Sequence, residues 1–160
     1  MKRILLLLLL TALWLSTACG VSYTDSVPAE ALGSAVLSAL PSPDDYALYG
    51  QDYVSAYFPG NDSPTDFYIA YSVTAEDVGE FGIFRMADEE GAKLMKSAID
   101  SYLNDMRSTQ LSFLQTYAPR EVAKLEEAEA RVLGSYAVYA ILSQEDRATL
   151  FETIDKQIKQ

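Results

Sequence analysis

Apolar residues recur at helical spacing in three stretches of the chain. Residues 28–40, 87–119 and 143–160 each carry apolar positions three or four apart, which places them on one side of a helix. Ser26 and Ser143 are suited to cap the first and last of these helices, because a serine oxygen can accept a free N–H of the first turn. The pattern therefore predicts three amphipathic helices.

The long central helix has the most regular stripe. Its predicted buried positions are Met95, Ala98, Ile99, Tyr102, Leu103, Met106, Phe113 and Tyr117. Asp88, Glu89 and Glu90 precede this stripe, where carboxylates favour the positive end of the helix dipole. The same three carboxylates are a weaker candidate for a bound cation.

Alternating apolar residues predict strands between these helices. Residues 66–73 and 80–86 have this two-residue period and are joined by a short polar turn, so we expect a hairpin. Residues 124–143 predict a second hairpin, which turns at Gly134 and Ser135. The order is α-β-β-α-β-β-α. Such an order is typical of an α+β fold, with an antiparallel sheet of two hairpins and the helices packed on one face.

An aromatic segment, residues 46–60, follows the first helix. Tyr46, Tyr49, Tyr53 and Tyr57 would share one side of a helix, but Gly50 weakens that helix. A loop followed by a short helix fits the segment equally well. Tyrosine offers a broad apolar ring with a polar tip, so these four residues are the candidate ligand-binding site. Packing against the sheet is the alternative, and Tyr68, Tyr71 and Tyr139 are the next candidates for a ligand.

The first 18 residues have the three parts of an export signal. Lys2 and Arg3 are followed by an apolar run to Leu15, and then by small residues up to Ala18. The run is shorter than the roughly 20 apolar residues of a membrane-spanning helix. We expect a signal peptide over 1–18, a tether over 19–27 and a single domain over 28–160, with a retained spanning anchor as the alternative.

Cys19 is the single cysteine of the chain, so it has no internal disulfide partner. The stretch STAC resembles the lipobox of bacterial lipoproteins, in which the cysteine receives a diacylglyceryl group and the leader is cut before it. Ser16 stands three residues before Cys19, where the lipobox usually has a large aliphatic residue, which puts efficient processing in doubt. The resemblance implies a membrane partner through lipid on Cys19 and a location outside the cytoplasm; plain secretion is the alternative.

The charge balance narrows the choice of partners. The chain has 23 acidic and 12 basic residues and a net charge of −11, which becomes two units more negative if Lys2 and Arg3 leave with a leader. Such a surface repels nucleic acid and anionic lipid headgroups. We therefore expect no nucleic-acid partner, and a domain that stays soluble near a membrane.

The residue types present exclude several kinds of active site. The chain has no histidine, which removes Ser–His–Asp triads and histidine-ligated metals, and it has no glycine-rich phosphate loop. Two further groups of acidic residues are weak candidates. Asn61, Asp62 and Asp66 are a possible calcium loop without EF-hand spacing. Glu127 and Glu129 are a possible carboxylate pair for glycoside hydrolysis, although a surface charge ladder with Arg131 is the favoured interpretation. We expect no metal and no cofactor.

Four segments together resemble a known family. They are the leader ending in ACG, then ALYG, then EFGIFRMADEEGAKLMKSAIDSYL, and finally the VLGSYAVYAILS hairpin with its short helix. The chain is similar over residues 27–158 to small putative lipoproteins, common in Gram-positive anaerobes, that carry the domain of unknown function 4358. The resemblance implies a shared fold and a cell-membrane address. It implies no activity and no functional residues.

Three classes of function remain. A non-enzymatic interaction protein of the cell envelope, held by lipid and acting through a protein partner, is the first hypothesis. A small-ligand binding module that uses Tyr46, Tyr49, Tyr53 and Tyr57 is the second, and it predicts a pocket walled by tyrosines. An enzyme is the third and least favoured, because no nucleophile–base pair is visible in the sequence.

Overall fold

The computed structural model of the protein describes residues 21–59 and 63–160. The helices are α1 (Ala29–Ala39), α2 (Gln51–Tyr57), α3 (Glu89–Tyr117), α4 (Val122–Glu126) and α5 (Gln144–Ile158). The strands are β1 (Tyr46–Leu48), β2 (Asp66–Ser72), β3 (Glu80–Arg85), β4 (Glu129–Leu133) and β5 (Tyr136–Ile141). The three long helices and the four strands of the two hairpins confirm the elements that the hydrophobic periods predict.

The strands form one antiparallel sheet in the order β1-β2-β3-β5-β4. Pairing of β3 with β5 joins the two predicted hairpins side by side, which confirms the α+β class. The short edge strand β1 was not predicted, because three residues are too few to show an alternating period. It pairs with β2 from Tyr46↔Ser72 to Leu48↔Ala70.

Helices cover both faces of the sheet, so the prediction of helices on one face is wrong. α1 and α5 pack on one face, which we call the α1–α5 face, and α2, α3 and α4 pack on the other, which we call the α2–α3 face. The reason lies in the central strands: all six residues of β5 are buried, so both of its sides are apolar and both need cover.

The predicted turn residue and one of the two predicted helix caps agree with the structure. Gly134 has φ of +60° at the first position of the β4–β5 turn, which glycine adopts without steric cost. The Ser143 side chain accepts from the Asp146 N–H and confirms the predicted cap of α5. The predicted Ser26 cap of α1 is wrong: α1 begins after Pro28, and Asp66 of β2 accepts from the Ala29 N–H at 3.0 Å.

The stripe of α3 is buried as far as Leu103 and is only partly covered after it. Leu114 is buried, whereas Phe113 and Tyr117 are 58% and 64% exposed, so their predicted burial is wrong. The two rings contact each other, with centroids 4.8 Å apart. The C-terminal turns of α3 therefore present an aromatic pair to solvent.

The segment before α1 contacts the domain along most of its length. Residues 19–27 are the predicted tether, yet Gln160 N–H donates to the Ser22 carbonyl at 2.9 Å and Tyr136 hydroxyl donates to the Val27 carbonyl at 2.7 Å. The predicted signal peptide and Cys19 lie outside the described residues. Across residues 21–59 and 63–160, none of the helices has the length and apolar character needed to span a membrane.

Candidate functional site

A cleft of about 940 Å³ opens between α2 and α3, beside one end of β3. Side chains of α2 form one wall, and those of α3 form the other. Its lining residues include Tyr49, Tyr53, Tyr57, Glu80, Leu94, Ala98, Ser101, Tyr102, Asp105 and Met106. No lysine or arginine is among the described residues that line it.

Three of the four predicted tyrosines form one wall of this cleft. Tyr49, directly before α2, stacks on Tyr53 with centroids 3.6 Å apart and an interplanar angle of 4°. Tyr57 follows one turn later, 4.4 Å from Tyr53, because residues four apart share a helix face. Tyr71 of β2 supports the stack from behind, 4.0 Å from Tyr49.

Tyr46 does not join this wall. It lies in β1 and packs on the α1–α5 face, with its ring 6.2 Å from that of Phe81. Burial, together with the nearby charge of Asp77, raises the pKa of Tyr46 to about 12. Tyr68 also belongs to the α1–α5 face, whereas Tyr139 packs on the α2–α3 face.

Glu80, the first residue of β3, lies at the floor of the cleft and is only 5% exposed. Its Oε1 accepts hydrogen bonds from the Tyr139 hydroxyl at 2.6 Å and the Tyr102 hydroxyl at 2.9 Å. Its Oε2 has a longer contact, 3.4 Å, with the Tyr53 hydroxyl. The Tyr53 and Tyr102 hydroxyls are 2.7 Å apart. One carboxyl group thus gathers tyrosines from α2, α3 and β5.

Burial dominates the electrostatics of this cluster. Loss of solvent raises the pKa of Glu80 above its ordinary value, and hydrogen bonds from Tyr139, Tyr102 and Tyr53 offset part of that rise. Burial, followed by the charge of Glu80, raises the pKa of each of the three tyrosines. Their hydroxyls therefore stay protonated, and those of Tyr139 and Tyr102 donate to the carboxyl group.

Glu80 has no cationic partner among the described residues. The ion pairs within the described residues lie elsewhere, such as Arg85 with Asp66 at 2.5 Å and Lys124 with Asp77 at 2.7 Å. A buried charge without an ionic partner is costly, and such groups concentrate at functional sites. The cleft therefore combines aromatic faces with a buried acidic group at its floor.

Sequence reasoning missed Glu80 and the polar role of Tyr102. The position of Glu80 in β3 could have indicated its burial. Side chains alternate along a strand, so Glu80 shares a face with Gly82 and Phe84, and both faces of β3 are apolar. A charged residue at such a position has to be buried. Tyr102 was predicted as a core residue and is largely buried, but it also lines the cleft and donates to Glu80.

The other acidic candidates have local partners. Asp88 accepts from the Gly91 N–H at 2.8 Å and caps α3. Glu129 pairs with Arg131 at 2.7 Å, as expected for a charge ladder, and Glu127 pairs with Arg147 at 2.8 Å. Asn61 and Asp62 lie outside the described residues. In the described part of the chain, no group of three or more acidic or cysteine side chains is placed to hold a metal ion.

Comparison with known proteins gives one match. The family model described as Domain of unknown function (DUF4358) matches residues 61–142, just over half of the chain. No curated protein and no solved structure matches. The matched region includes Glu80, Tyr102 and Tyr139, whereas the α2 wall of the cleft precedes it. The resemblance to the domain of unknown function 4358 is thus confirmed over residues 61–142, and the chain belongs to the DUF4358 family.

Proposed function

We propose that this protein is a lipid-anchored module outside the cytoplasm that binds a small molecule in the cleft and catalyses no reaction. The observation that carries the proposal is the convergence of the Tyr49–Tyr53–Tyr57 wall and the buried Glu80 on one cleft. Ligand sites are typically concave, about 300–1,000 Å³ in volume, and mostly apolar with a few placed polar groups. The volume of about 940 Å³ is within that range.

The non-enzymatic part of the proposal is supported by the residue types of the cleft. Its ionisable lining groups, within the described residues, are Glu80, Asp105 and tyrosines, and burial raises the pKa of two of these tyrosines, Tyr53 and Tyr102. Covalent catalysis needs an activated nucleophile, and the raised pKa values of Tyr53 and Tyr102 leave their hydroxyls protonated and weakly nucleophilic. Binding and orientation of a ligand are the chemistry that remains.

The membrane location in the proposal depends on lipid attached to Cys19. Two or more acyl chains on one residue hold a protein at a membrane, where a single chain gives only marginal binding. Cys19→Ala should move the protein from the membrane fraction into the soluble fraction of the cell envelope or the medium. A variant that still sediments with membranes would remove the lipid anchor from the proposal.

Native mass spectrometry of the full chain tests ligand binding. The protein is extracted from the producing cell in mild nonionic detergent, and its mass is compared with that of the polypeptide plus lipid. We expect an additional small molecule on the wild type and its loss in Tyr57→Ser. Tyr117→Ser is the matched control, because both tyrosines are exposed and only Tyr57 lines the cleft. A bare wild-type chain would contradict the binding proposal.

A protein partner in the cell envelope is the second candidate function. It is favoured by Phe113 and Tyr117, whose exposed rings contact each other on the C-terminal turns of α3. Aromatic residues are enriched at protein interfaces. A photo-crosslinking residue in place of Phe113 should capture one defined partner in intact cells, whereas the same residue in place of Glu152 should not.

A further inference from the structure

Building on the proposed binding function, we infer that the cleft takes a protonated primary or secondary amine carried on a flat or apolar body. The inference concerns the chemical class of the ligand, and it follows from three features of the cleft. They are its charge, the unused hydrogen-bonding capacity of Glu80, and the arrangement of its aromatic rings.

Charge comes first. Glu80 at the floor and Asp105 on the α3 wall are both acidic, and no lysine or arginine is among the described lining residues. An anionic ligand would meet two carboxyl groups and no opposing charge. A cationic ligand would supply the partner that Glu80 lacks within the described residues.

The hydrogen bonds of Glu80 leave one oxygen underused. The Tyr139 and Tyr102 hydroxyls both donate to Oε1. Tyr53 has one hydroxyl proton, and the Tyr102 oxygen at 2.7 Å is a better acceptor for it than Glu80 Oε2 at 3.4 Å. Oε2 therefore keeps acceptor capacity at the floor of the cleft. An ammonium N–H would donate there and form a charge-assisted hydrogen bond.

The rings provide the surroundings that an ammonium group prefers. Tyr57 and Tyr102 meet at an interplanar angle of 74° with centroids 5.8 Å apart, so they form two adjoining walls of a corner. Cations are attracted to aromatic faces within about 6 Å of the ring centroid. Leu94, Ala98 and Met106 of α3 offer apolar contact to the rest of the ligand.

Quaternary ammonium ions match these features less well. They have no N–H to donate to Oε2, and their methyl groups hold the nitrogen away from a carboxyl group that is only 5% exposed. Neutral sugars and alcohols can stack on tyrosines but leave Glu80 without a cation. These two classes are therefore distinguishable outcomes of one experiment.

Isothermal titration calorimetry with four probes of one shape tests the inference. The probes are 2-phenylethylammonium, its trimethylammonium analogue, 2-phenylethanol and phenylacetate, titrated into the detergent-extracted full chain. A hydrogen bond to a charged group contributes about 1.5–3 kcal/mol, so the primary ammonium should bind about 10- to 100-fold more tightly than the alcohol. Phenylacetate should bind most weakly.

Glu80→Gln should remove the preference for the ammonium over the alcohol, because glutamine keeps the size and the acceptor but not the charge. Glu145→Gln is the control, since it is the same substitution at an exposed residue of α5 that does not line the cleft. The probe series on the wild type decides the question even if Glu80→Gln does not fold.

The inference is overturned if the alcohol or the trimethylammonium probe binds as tightly as the primary ammonium. It is also overturned if a folded Glu80→Gln keeps the preference, or if no probe binds. The proposed binding function survives these results as long as native mass spectrometry shows a ligand that depends on Tyr57. If that ligand is absent as well, both proposals fail.

Discussion

The two faces of the sheet are built from similar residues and differ in the partners of their tyrosine hydroxyls. On the α1–α5 face, Leu32, Leu150 and Ile154 are fully buried, and the Tyr136 hydroxyl bonds to the backbone of Val27. On the α2–α3 face, three tyrosine hydroxyls turn inward to a buried carboxyl group beside an open cleft. The difference is that tyrosine hydroxyls on the α2–α3 face share a buried carboxyl group, and we propose the ligand site there for that reason.

Each face also holds a tyrosine ring against a glycine. A β-carbon on Gly33 of α1 would lie 2.1 Å from the Tyr68 ring, and one on Gly82 of β3 would lie 2.2 Å from the Tyr139 ring. Both distances are far below van der Waals contact. The two glycines therefore form a matched pair, because the same added methyl group disturbs a core tyrosine on one face and a Glu80 donor on the other.

The largest expected effect is a core truncation on the α1–α5 face. Leu32→Ala removes a fully buried side chain from between α1 and the sheet. Such truncations lower the free energy of unfolding by about 2–5 kcal/mol, because the lost burial is accompanied by a cavity. Urea denaturation should show this loss, while the folded variant keeps wild-type ligand retention in native mass spectrometry. A folded Leu32→Ala that loses the ligand would mean that the faces are not independent.

Alanine substitutions at the two glycines should lower the unfolding free energy by an intermediate amount. Gly33→Ala and Gly82→Ala each overpack a tyrosine, which typically costs about 1–3 kcal/mol of unfolding free energy. Only Gly82→Ala should also weaken ligand binding, because it pushes the Tyr139 hydroxyl from its 2.6 Å bond to Glu80. Denaturation and calorimetry on both variants check this. Equal effects on binding would contradict the assignment of the site to one face.

The smallest effect is on the pH dependence of stability. The pKa of Glu80 is raised in the folded chain above the ordinary value of 4.5, so between these two pKa values the folded state holds a proton that the unfolded state has released. Stability must then fall as the pH rises from about 4.5 through the folded pKa of Glu80, by about 1.4 kcal/mol per unit of pKa difference.

Glu80→Gln should lack this pH dependence of stability. As the pH rises, the variant should therefore gain unfolding free energy relative to the wild type. Tyr53, Tyr102 and Tyr139 face Glu80, and their raised pKa values keep them from titrating in this window. Urea denaturation between pH 4.5 and 8 measures the difference. A difference that stays constant with pH would show that Glu80 does not change its protonation on unfolding.

Most elements could be predicted because their hydrophobic periods are long and regular. The stripe of α3, the alternation in β2 and the turn at Gly134 each depend on residues close in sequence. Tyr49, Tyr53 and Tyr57 were likewise grouped correctly by their spacing. Local chemistry therefore located the aromatic wall of the cleft.

The remaining features depend on residues distant in sequence. Glu80 meets Tyr102 and Tyr139 only because β3 pairs with β5 and α3 crosses above both. Helices cover both faces of the sheet because β5 is apolar on both of its sides. Hydrophobic periodicity alone does not show whether one or both faces of a strand are buried. Tyr46 does not lie with Tyr49, Tyr53 and Tyr57, because the pairing of β1 with β2 places it on the α1–α5 face.

The central claim is that one face of the sheet carries a ligand site and the other does not. A two-dimensional NMR spectrum of the chain, labelled on tyrosine ring carbons, tests it directly when small molecules extracted from the producing cell are added. The account predicts shifts for Tyr49, Tyr53, Tyr57 and Tyr102, with Tyr46, Tyr68 and Tyr136 unchanged. Unchanged signals throughout, or shifts confined to the second set, would contradict it.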